Sequence, residues 1–301
     1  MVGRFAPTPS GRMHLGNIFA ALLCWLSVKS QGGELLLRME DLDTLRCTEE
    51  NAAVLRDDLR WLGLLWDRET PAQRHRGERY AEVLEALRWQ GHVFPCWCTR
   101  GDLKNAPNAP HASDGHPIYP GTCRELTEAE RAERAAKKPP LWRLRAPDET
   151  IVFTDGNYGE QRENLARECG DFILRRADGV FAYQLAVVVD DMDYGVTEIV
   201  RGCDLLGSTA RQLWLWRLLG AAPPVYYHVP LLTAPDGRRL SKRDQDLDMG
   251  ILRQKHRPEE LLGALAHAAG LLERKEDCTA AELVPLFSWD KIGTDDIAIE
   301  L

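Results

Sequence analysis

The residues best suited to chemistry lie at the start of the chain, in the segment Arg4-Phe-Ala-Pro-Thr-Pro-Ser-Gly-Arg-Met-His-Leu-Gly-Asn17. An apolar start predicts a strand, Pro7 and Pro9 stiffen the loop that follows, and residues 18–26 are typical of a helix. Unpaired N–H groups and the dipole at a helix start both favour an anion. The segment therefore predicts a phosphate-binding loop, with a rigid structural loop and an incidental His14 as the alternative.

The glycine pattern of this loop excludes two common phosphate sites. The sequence contains neither G-x-x-x-x-G-K-[ST] nor G-x-G-x-x-G. The loop is therefore neither a P-loop nor a dinucleotide-binding fingerprint.

Helix and strand patterns predict the frame that positions the loop. Residues 34–39, 197–202 and 225–232 have the pattern of strands, and residues 48–62 and 79–90 have the pattern of helices. Such alternation indicates an α/β fold with a parallel sheet. Glu40-Asp41-Leu42-Asp43 follows a predicted strand, at the edge where open parallel sheets bind ligands. We expect these carboxylates to meet an ammonium or a metal-bound phosphate, and a solvated acidic turn is the alternative.

Residues 97–180 interrupt this alternation and predict a mixed, turn-rich insertion. From residue 99 to residue 120, prolines, glycines, asparagines and histidines replace the periodic apolar positions, and the segment 102–121 has few means of forming a core. Three cysteines bracket that segment: Cys96, Cys98 and Cys123. Thiolates that close a loop without a core predict a structural zinc site. By local chemistry His111 or His116 is the usual kind of fourth ligand, and three unligated thiols are the alternative.

Clustered cations follow the last predicted strand, in Arg238-Arg-Leu-Ser-Lys-Arg243. Cations opposite a phosphate-binding loop are what phosphoryl or nucleotidyl transfer requires. A solvated basic loop is the alternative.

Composition narrows the class of protein and its partners. The chain has 301 residues, of which 44% are hydrophobic and 28% charged, as in ordinary globular proteins. A net charge of -8 argues against indiscriminate nucleic-acid binding, so an RNA contact must come from a local basic surface. The sequence shows no signal peptide or membrane span, and we expect a cytoplasmic protein whose eight cysteines are thiols or metal ligands.

Two segments resemble the signatures of class I aminoacyl-tRNA synthetases. His14-Leu-Gly-Asn17 is similar to the HIGH motif, with Asn17 in place of its second histidine, and residues 4–11 resemble the glutamate-specific subgroup. Arg239-Leu-Ser-Lys-Arg243 resembles the KMSKS motif, in which Lys242 matches the second lysine while the first lysine and the final serine have no match.

The resemblance implies a domain organisation. Residues 1–96 and 181–245 would form the two halves of a Rossmann-like catalytic domain with a parallel sheet. Residues 97–180 would form a zinc-containing insertion similar to an acceptor-binding domain, and residues 246–301 a small helical region similar to a stem-contact region. We expect a monomer.

Within this group the chain is more similar to the glutamyl-Q tRNA(Asp) synthetase family than to full glutamyl-tRNA synthetases. Residues 244–301 are too few for a large anticodon-reading domain, and the family's tyrosine-containing zinc site is matched by Cys96, Cys98, Tyr119 and Cys123. The resemblance implies that ATP with Mg²⁺ activates L-glutamate as glutamyl-adenylate without tRNA. Glutamate would then pass to the queuosine base in the anticodon stem-loop of tRNA(Asp).

The resemblance also implies roles for individual residues. His14 and Lys242 would be catalytic, and the ATP site would comprise His14, Gly16, Asn17 and Lys242. The glutamate site would comprise Arg4, Phe5, Ala6, Pro7, Thr8, Glu40, Tyr183 and Arg201. Either arginine can pair with a carboxylate and Glu40 can meet the ammonium.

Some alternatives remain open from the sequence. Arg201 could instead form an ion pair with Asp190 or Asp191. The whole chain could be a truncated glutamyl-tRNA synthetase that charges a tRNA 3′ end. It could also be a non-catalytic, zinc-containing RNA-binding relative.

Overall fold

The computed structural model describes residues 1–104, 118–234, 237–238 and 247–300. Three residues with predicted roles lie outside the described residues: Lys242 of the KMSKS-like motif, and the candidate zinc ligands His111 and His116. In the part that is described, no helix combines the length and the apolar character needed to cross a bilayer.

Strands and helices alternate through most of the chain. The strands are β1 (Val2–Phe5), β2 (Glu34–Leu37), β3 (Arg68–Glu69), β4 (Val93–Cys96), β5 (Leu141–Leu144), β6 (Thr150–Asp155), β7 (Gly159–Asn164), β8 (Phe172–Arg175), β9 (Glu198–Gly202), β10 (Val225–Val229), β11 (Leu232–Thr233) and β12 (Ile297–Ala298). The α-helices are α1 (Leu15–Ser30), α2 (Glu49–Trp61), α3 (Gly77–Trp89), α4 (Arg100–Lys104), α5 (Glu128–Ala135), α6 (Tyr183–Asp193), α7 (Thr209–Leu218), α8 (Met249–Lys255), α9 (Pro258–Ala268) and α10 (Ala280–Leu283).

The central sheet has five parallel strands in the order β10-β9-β1-β2-β3. Its two halves come from the two ends of the predicted catalytic domain, and they meet where Gly3 of β1 lies beside Glu198 of β9. The chain runs outward in opposite directions from this pair of strands. In open α/β sheets such a point leaves a crevice beyond the carboxyl ends of the two strands. The predicted α/β fold with a parallel sheet is confirmed.

Helix α1 is the centre of the larger core. Eleven of its residues are buried, and ten of them, all but Ser27, pack with the sheet, α2 and the C-terminal helices in one continuous cluster. Leu261, Leu262 and Leu265 of α9 belong to the same cluster, and the Trp289 ring stacks on Tyr227 of β10 at 4.2 Å. The predicted C-terminal region therefore shares its core with the catalytic part of the chain.

The insertion is built on antiparallel strands and begins earlier than predicted. Strand β4 lies within residues 1–96, the range expected for the first half of the catalytic domain, but it pairs antiparallel with β5, which pairs antiparallel with β8. A short apolar strand has the same sequence character in either kind of sheet, so its pattern did not specify the partner. The antiparallel sheet thus starts at Val93, ahead of residue 97.

Strands β6 and β7 form a hairpin whose tip packs on the central sheet. The Gly156 N–H donates to the Tyr226 carbonyl at 2.8 Å, and the Asn157 side chain donates to the His228 carbonyl at 3.0 Å. A Cβ atom at Gly156 would lie 2.0 Å from the Tyr227 ring, so only glycine permits this approach. The Tyr158 hydroxyl donates to the Thr294 carbonyl at 2.7 Å, which ties the tip to the C-terminal segment as well.

Candidate active site

A cleft of about 690 Å³ opens at the carboxyl ends of β1 and β9. It brings together residues that the sequence places far apart. The predicted site residues that line it are Arg4, Phe5, Ala6, Pro7, Thr8, His14, Gly16, Asn17, Glu40, Tyr183 and Arg201. Their shared position is an observation, whereas their roles as glutamate or ATP ligands stay predictions.

His14 and Asn17 form the cap of α1. The Gly16 N–H donates to His14 Nδ1 at 3.1 Å, and the His14 N–H donates to Asn17 Oδ1 at 3.1 Å. Since Nδ1 is an acceptor, a neutral His14 ring carries its proton on Nε2, which makes that nitrogen a donor suited to a phosphate oxygen. The Asn17 side chain thus closes a capping box, a structural role that the HIGH resemblance did not foresee.

The loop before this helix requires glycine at one position. Gly11 has a φ of 131°, which residues with a Cβ atom rarely adopt. At Gly16 an added Cβ atom would lie 3.0 Å from His14 Cε1, so this glycine lets the ring fold back over the helix start.

Arg38 organises a buried cluster of charges beneath the cleft. The Arg38 side chain is 1% exposed and donates to Asp191 at 2.5 Å and to Glu40 at 3.1 Å, with Asp190 at 3.7 Å. Arg4 also donates to Asp191, at 3.3 Å. Burial raises the pKa of Glu40, although Arg38 and Arg4 oppose the shift. Sequence reasoning missed Arg38, and the available signal was an arginine inside an apolar strand pattern.

Arg201 is a buried cation that has no anionic partner among the residues that the structure describes. It is 6% exposed and donates to His228 Nε2 at 3.0 Å, to Gln212 Oε1 at 2.8 Å and to Thr209 Oγ1 at 2.9 Å. The alternative role of Arg201, an ion pair with Asp190 or Asp191, is therefore wrong. Within the described residues no carboxylate contacts Arg201. A buried charge of this kind is costly until an anion compensates it, which suits an incoming carboxylate.

Tyr183, the first residue of α6, faces the same cleft. Burial raises the pKa of its hydroxyl, so the group stays protonated at neutral pH. Across the described ranges its hydroxyl has no protein partner, which leaves it able to donate to a ligand and to accept from one.

Three thiols of the insertion converge at a distance from the cleft. The sulfurs of Cys96, Cys98 and Cys123 all lie within 4.8 Å of one another, and those of Cys98 and Cys123 are 3.7 Å apart. Tetrahedral zinc with Zn–S bonds of about 2.3 Å requires sulfurs roughly 3.8 Å apart, so the spacing fits. The Tyr119 hydroxyl adjoins the cluster, where it accepts from the Cys123 N–H at 2.6 Å.

Two of these thiols accept hydrogen bonds from arginine side chains. Arg143 donates to the sulfur of Cys96 at 3.4 Å and Arg134 to that of Cys123 at 3.7 Å. Burial raises the pKa of Cys98 to about 12, so this thiol is protonated until something displaces its proton. A metal ion does so when it binds.

Comparison with known proteins decides the family. The family model described as tRNA synthetases class I (E and Q), catalytic domain, matches residues 1–290. The chain belongs to this family of class I tRNA synthetases. The family predicted from the HIGH-like and KMSKS-like segments is therefore confirmed, and with it a class I synthetase α/β fold.

Relatives and solved structures agree with the assignment. The chain is 49% identical to the glutamyl-Q tRNA(Asp) synthetase of Nitratidesulfovibrio vulgaris, over 90% of this chain and 86% of the relative. It is 46% identical to the enzyme of the same name from Symbiobacterium thermophilum, over 99% and 96% of the two chains. The fold is similar to that of a glutamate tRNA ligase from Elizabethkingia meningosepticum, with a TM-score of 0.86 at 24% identity, over 100% of this chain and 67% of the other.

Proposed function

We propose that this protein activates L-glutamate with ATP and transfers it to the queuosine base in the anticodon of tRNA(Asp). The observation that carries the amino-acid half of this proposal is the buried Arg201 in a cleft that also holds Arg4 and Glu40. Two cations and one carboxylate complement an amino acid that has two carboxylates and one ammonium. The acceptor is proposed from the relatives, which carry the glutamyl-Q name over most of their length.

In the first step an oxygen of the glutamate α-carboxylate attacks the α-phosphorus of ATP, and pyrophosphate leaves. Both reactants are anions, so the protein's main task is alignment and charge neutralisation. Glu40 meets the ammonium, Arg4, Arg201 and Tyr183 hold the carboxylates, and His14 Nε2 donates to a phosphate oxygen. Lys242, outside the described residues, is proposed to stabilise the developing charge. Mg²⁺ bound with ATP supplies further neutralisation of the triphosphate.

In the second step a hydroxyl of the queuosine cyclopentene attacks the activated carbonyl. The bond from that carbonyl to the phosphate oxygen breaks, AMP leaves, and the phosphate takes the hydroxyl proton. A side chain near the cleft whose replacement slows transfer while leaving activation intact would contradict this assignment of the proton.

The first experiment follows radiolabelled glutamate into purified tRNA(Asp) with and without queuosine. We expect label only in the queuosine-containing tRNA, and equal labelling of both would refute the proposed acceptor. Labelling of the 3′ end of tRNA(Glu) would support a truncated glutamyl-tRNA synthetase instead. Failure of glutamate to support exchange of pyrophosphate into ATP would support a non-catalytic RNA-binding protein.

A matched pair of variants tests the glutamate site. A lysine at position 201 cannot reach His228, Gln212 and the substrate together, so Arg201→Lys should raise the KM for glutamate in pyrophosphate exchange by roughly 10- to 100-fold. The control is Arg217→Lys, at an exposed arginine that pairs with Glu149 at 2.6 Å. A similar KM for glutamate in both variants would contradict a role of Arg201 in glutamate binding.

For the insertion we propose one structural Zn²⁺ held by Cys96, Cys98, Cys123 and Tyr119. The spacing of the thiols and the position of the Tyr119 hydroxyl support this set. Metal analysis of the purified protein should find about one zinc per chain. If Tyr119→Phe retains full zinc while His116→Ala loses it, the fourth zinc ligand is His116 and not Tyr119.

A further inference from the structure

We propose that Asp155, on the tip of the insertion hairpin, is a positioning residue that sets Arg201 for glutamate through His228. The proposal rests on the proposed function, since Arg201 is there the ligand of a substrate carboxylate. It joins a residue of the insertion to the substrate cleft in the central sheet.

The three side chains form one buried line of hydrogen bonds. His228 of β10 lies beside Arg201 of β9 in the parallel pair and accepts from Arg201 Nε through its Nε2 atom, at 3.0 Å. On the other side of the ring, His228 Nδ1 lies 2.6 Å from Asp155 Oδ2. His228 is 0% exposed and Asp155 1% exposed, so water does not compete for these bonds.

Only one form of the imidazole fits both neighbours. A guanidinium can donate but cannot accept, so Nε2 must hold its lone pair towards Arg201. The proton of the neutral ring is therefore on Nδ1, where it is donated to Asp155. Asp155 thus fixes the tautomer that Arg201 requires.

The Asp155 carboxylate is itself held in one orientation. Its Oδ1 atom accepts from the N–H groups of Asn157 at 3.1 Å, Tyr158 at 2.9 Å and His228 at 3.2 Å. Only Oδ2 is directed at the imidazole. The glycine turn at the hairpin tip, which packs against β10, brings the carboxylate to this place.

The surroundings of His228 keep it neutral. The groups that face it are the Arg201 guanidinium, the Asp155 carboxylate, the Thr209 hydroxyl at 3.5 Å and the stacked Tyr226 ring, with the Asp204 carboxylate acting electrostatically. Burial and the nearby guanidinium lower the pKa of His228 and outweigh the two carboxylates.

The orientation of Arg201 matters because few of its donors remain for a substrate. Four of its five N–H groups are engaged, by His228, Gln212, Thr209 and the Leu205 carbonyl. Within the described residues this leaves one N–H on Nη1. Loss of the Nε bond would remove one of these four restraints, and a tilt of the guanidinium about the other three would take that N–H out of alignment.

The test is Asp155→Asn, which preserves size and removes an acceptor. The asparagine oxygen can keep the three backbone N–H groups, and its NH₂ group then faces His228 Nδ1. His228 must move its proton to Nε2, directly opposite the Arg201 N–H. We expect the KM for glutamate in pyrophosphate exchange to rise roughly 10- to 100-fold, with the KM for ATP unchanged.

The matched control is Asp148→Asn, an exposed carboxylate of the same insertion that bonds Asn164 and Arg167. It should leave both KM values unchanged. If Asp155→Asn also leaves the glutamate KM unchanged while the wild-type protein is active, the proposal is wrong.

A spectroscopic measurement separates this proposal from a general structural effect. In ¹⁵N-histidine-labelled protein, the ring shifts of His228, assigned by their loss in His228→Asn, should show Nδ1–H in the wild type and Nε2–H in Asp155→Asn. A raised glutamate KM without a change of tautomer would overturn the proposal, as would an Nε2–H tautomer in the wild type. Absence of glutamate-dependent exchange by the wild type would instead overturn the proposed function, and the wild-type spectrum would still test the tautomer.

Discussion

Replacement of Arg38 by methionine should destabilise the protein strongly and in a pH-dependent way. The Arg38 guanidinium, 1% exposed, is shared by Asp191, Glu40 and Asp190. Methionine fills much of the volume but leaves these carboxylates with less compensation. Removing one partner of a buried ion pair typically costs about 3–5 kcal/mol. For a chain of 301 residues that corresponds to a fall in Tm of roughly 5–8 °C at neutral pH.

The sign of the pH dependence follows from the carboxylates. Burial already raises the pKa values of Glu40 and Asp190 in the wild type. A carboxyl whose pKa is raised by folding stabilises the fold when protonated, and this contribution is lost as the pH rises through the folded-state pKa. Without Arg38 the shift should increase. The deficit of the variant should therefore be largest at high pH and should shrink as the pH falls towards the raised pKa values.

The assay is thermal and urea unfolding of wild type and Arg38→Met at several pH values between 5 and 8. Arg68→Met is the control, because Arg68 is 49% exposed and pairs with a similarly exposed Glu34 at 2.9 Å. Its loss should cost less than about 1 kcal/mol. A deficit for Arg38→Met that matches the control, or that grows as the pH falls, would refute the reasoning.

Three further predictions concern the cap, the metal and the pH dependence of binding. Asn17→Ala removes the capping oxygen of α1 and should lower the free energy of unfolding in urea by about 1 kcal/mol. Asn17→Asp keeps an oxygen at this place and should retain most of that free energy. Equal losses of free energy in the two variants would contradict the capping role. Cys98→Ser should lower bound zinc below one per chain and lower the Tm, as chelation should in the wild type, and an unchanged zinc content would exclude this thiol as a ligand. Because the pKa of His228 lies below its usual 6.5, protonation at lower pH should break its bond to Arg201 and raise the glutamate KM in pyrophosphate exchange; a KM independent of pH down to the limit of folding would contradict this.

Local sequence signals predicted the frame of the molecule. Alternating patterns predicted the parallel sheet. Threonine is typical of a helix cap, and Thr48 and Thr127 cap α2 and α5 through their side-chain oxygens. These features depend on neighbours within a few positions, so they can be read from a short window. The antiparallel pairing of β4 could not be read from a short window, because strands that are distant in sequence determine whether its partners are parallel or antiparallel.

The candidate site was predictable where a motif carried it. The loop from Arg4 to Asn17 was identified by its own residues, and the family resemblance placed Glu40 and Arg201 beside it; both line the same cleft. The network behind it was not, since the partner of Arg201 is His228 on the adjacent strand and the partner of His228 is Asp155 on a hairpin. Such pairs follow from strand order and from the path of the insertion. Ser208 shows the same limit: a serine before a helix is typical of a cap, but the Ser208 side chain accepts from Gln184 at 3.1 Å and makes no capping bond to α7.

The hairpin tip limits how freely this protein can be recombined with its relatives. Its contacts reach the Tyr226 and His228 carbonyls of β10 and the Thr294 carbonyl near the end of the chain. A chimera that exchanged residues 97–180 as a cassette would cut across all of them. Exchange is compatible with this architecture only if the donor hairpin and the recipient strand are transplanted as a matched pair, so the insertion and the sheet should evolve as one unit.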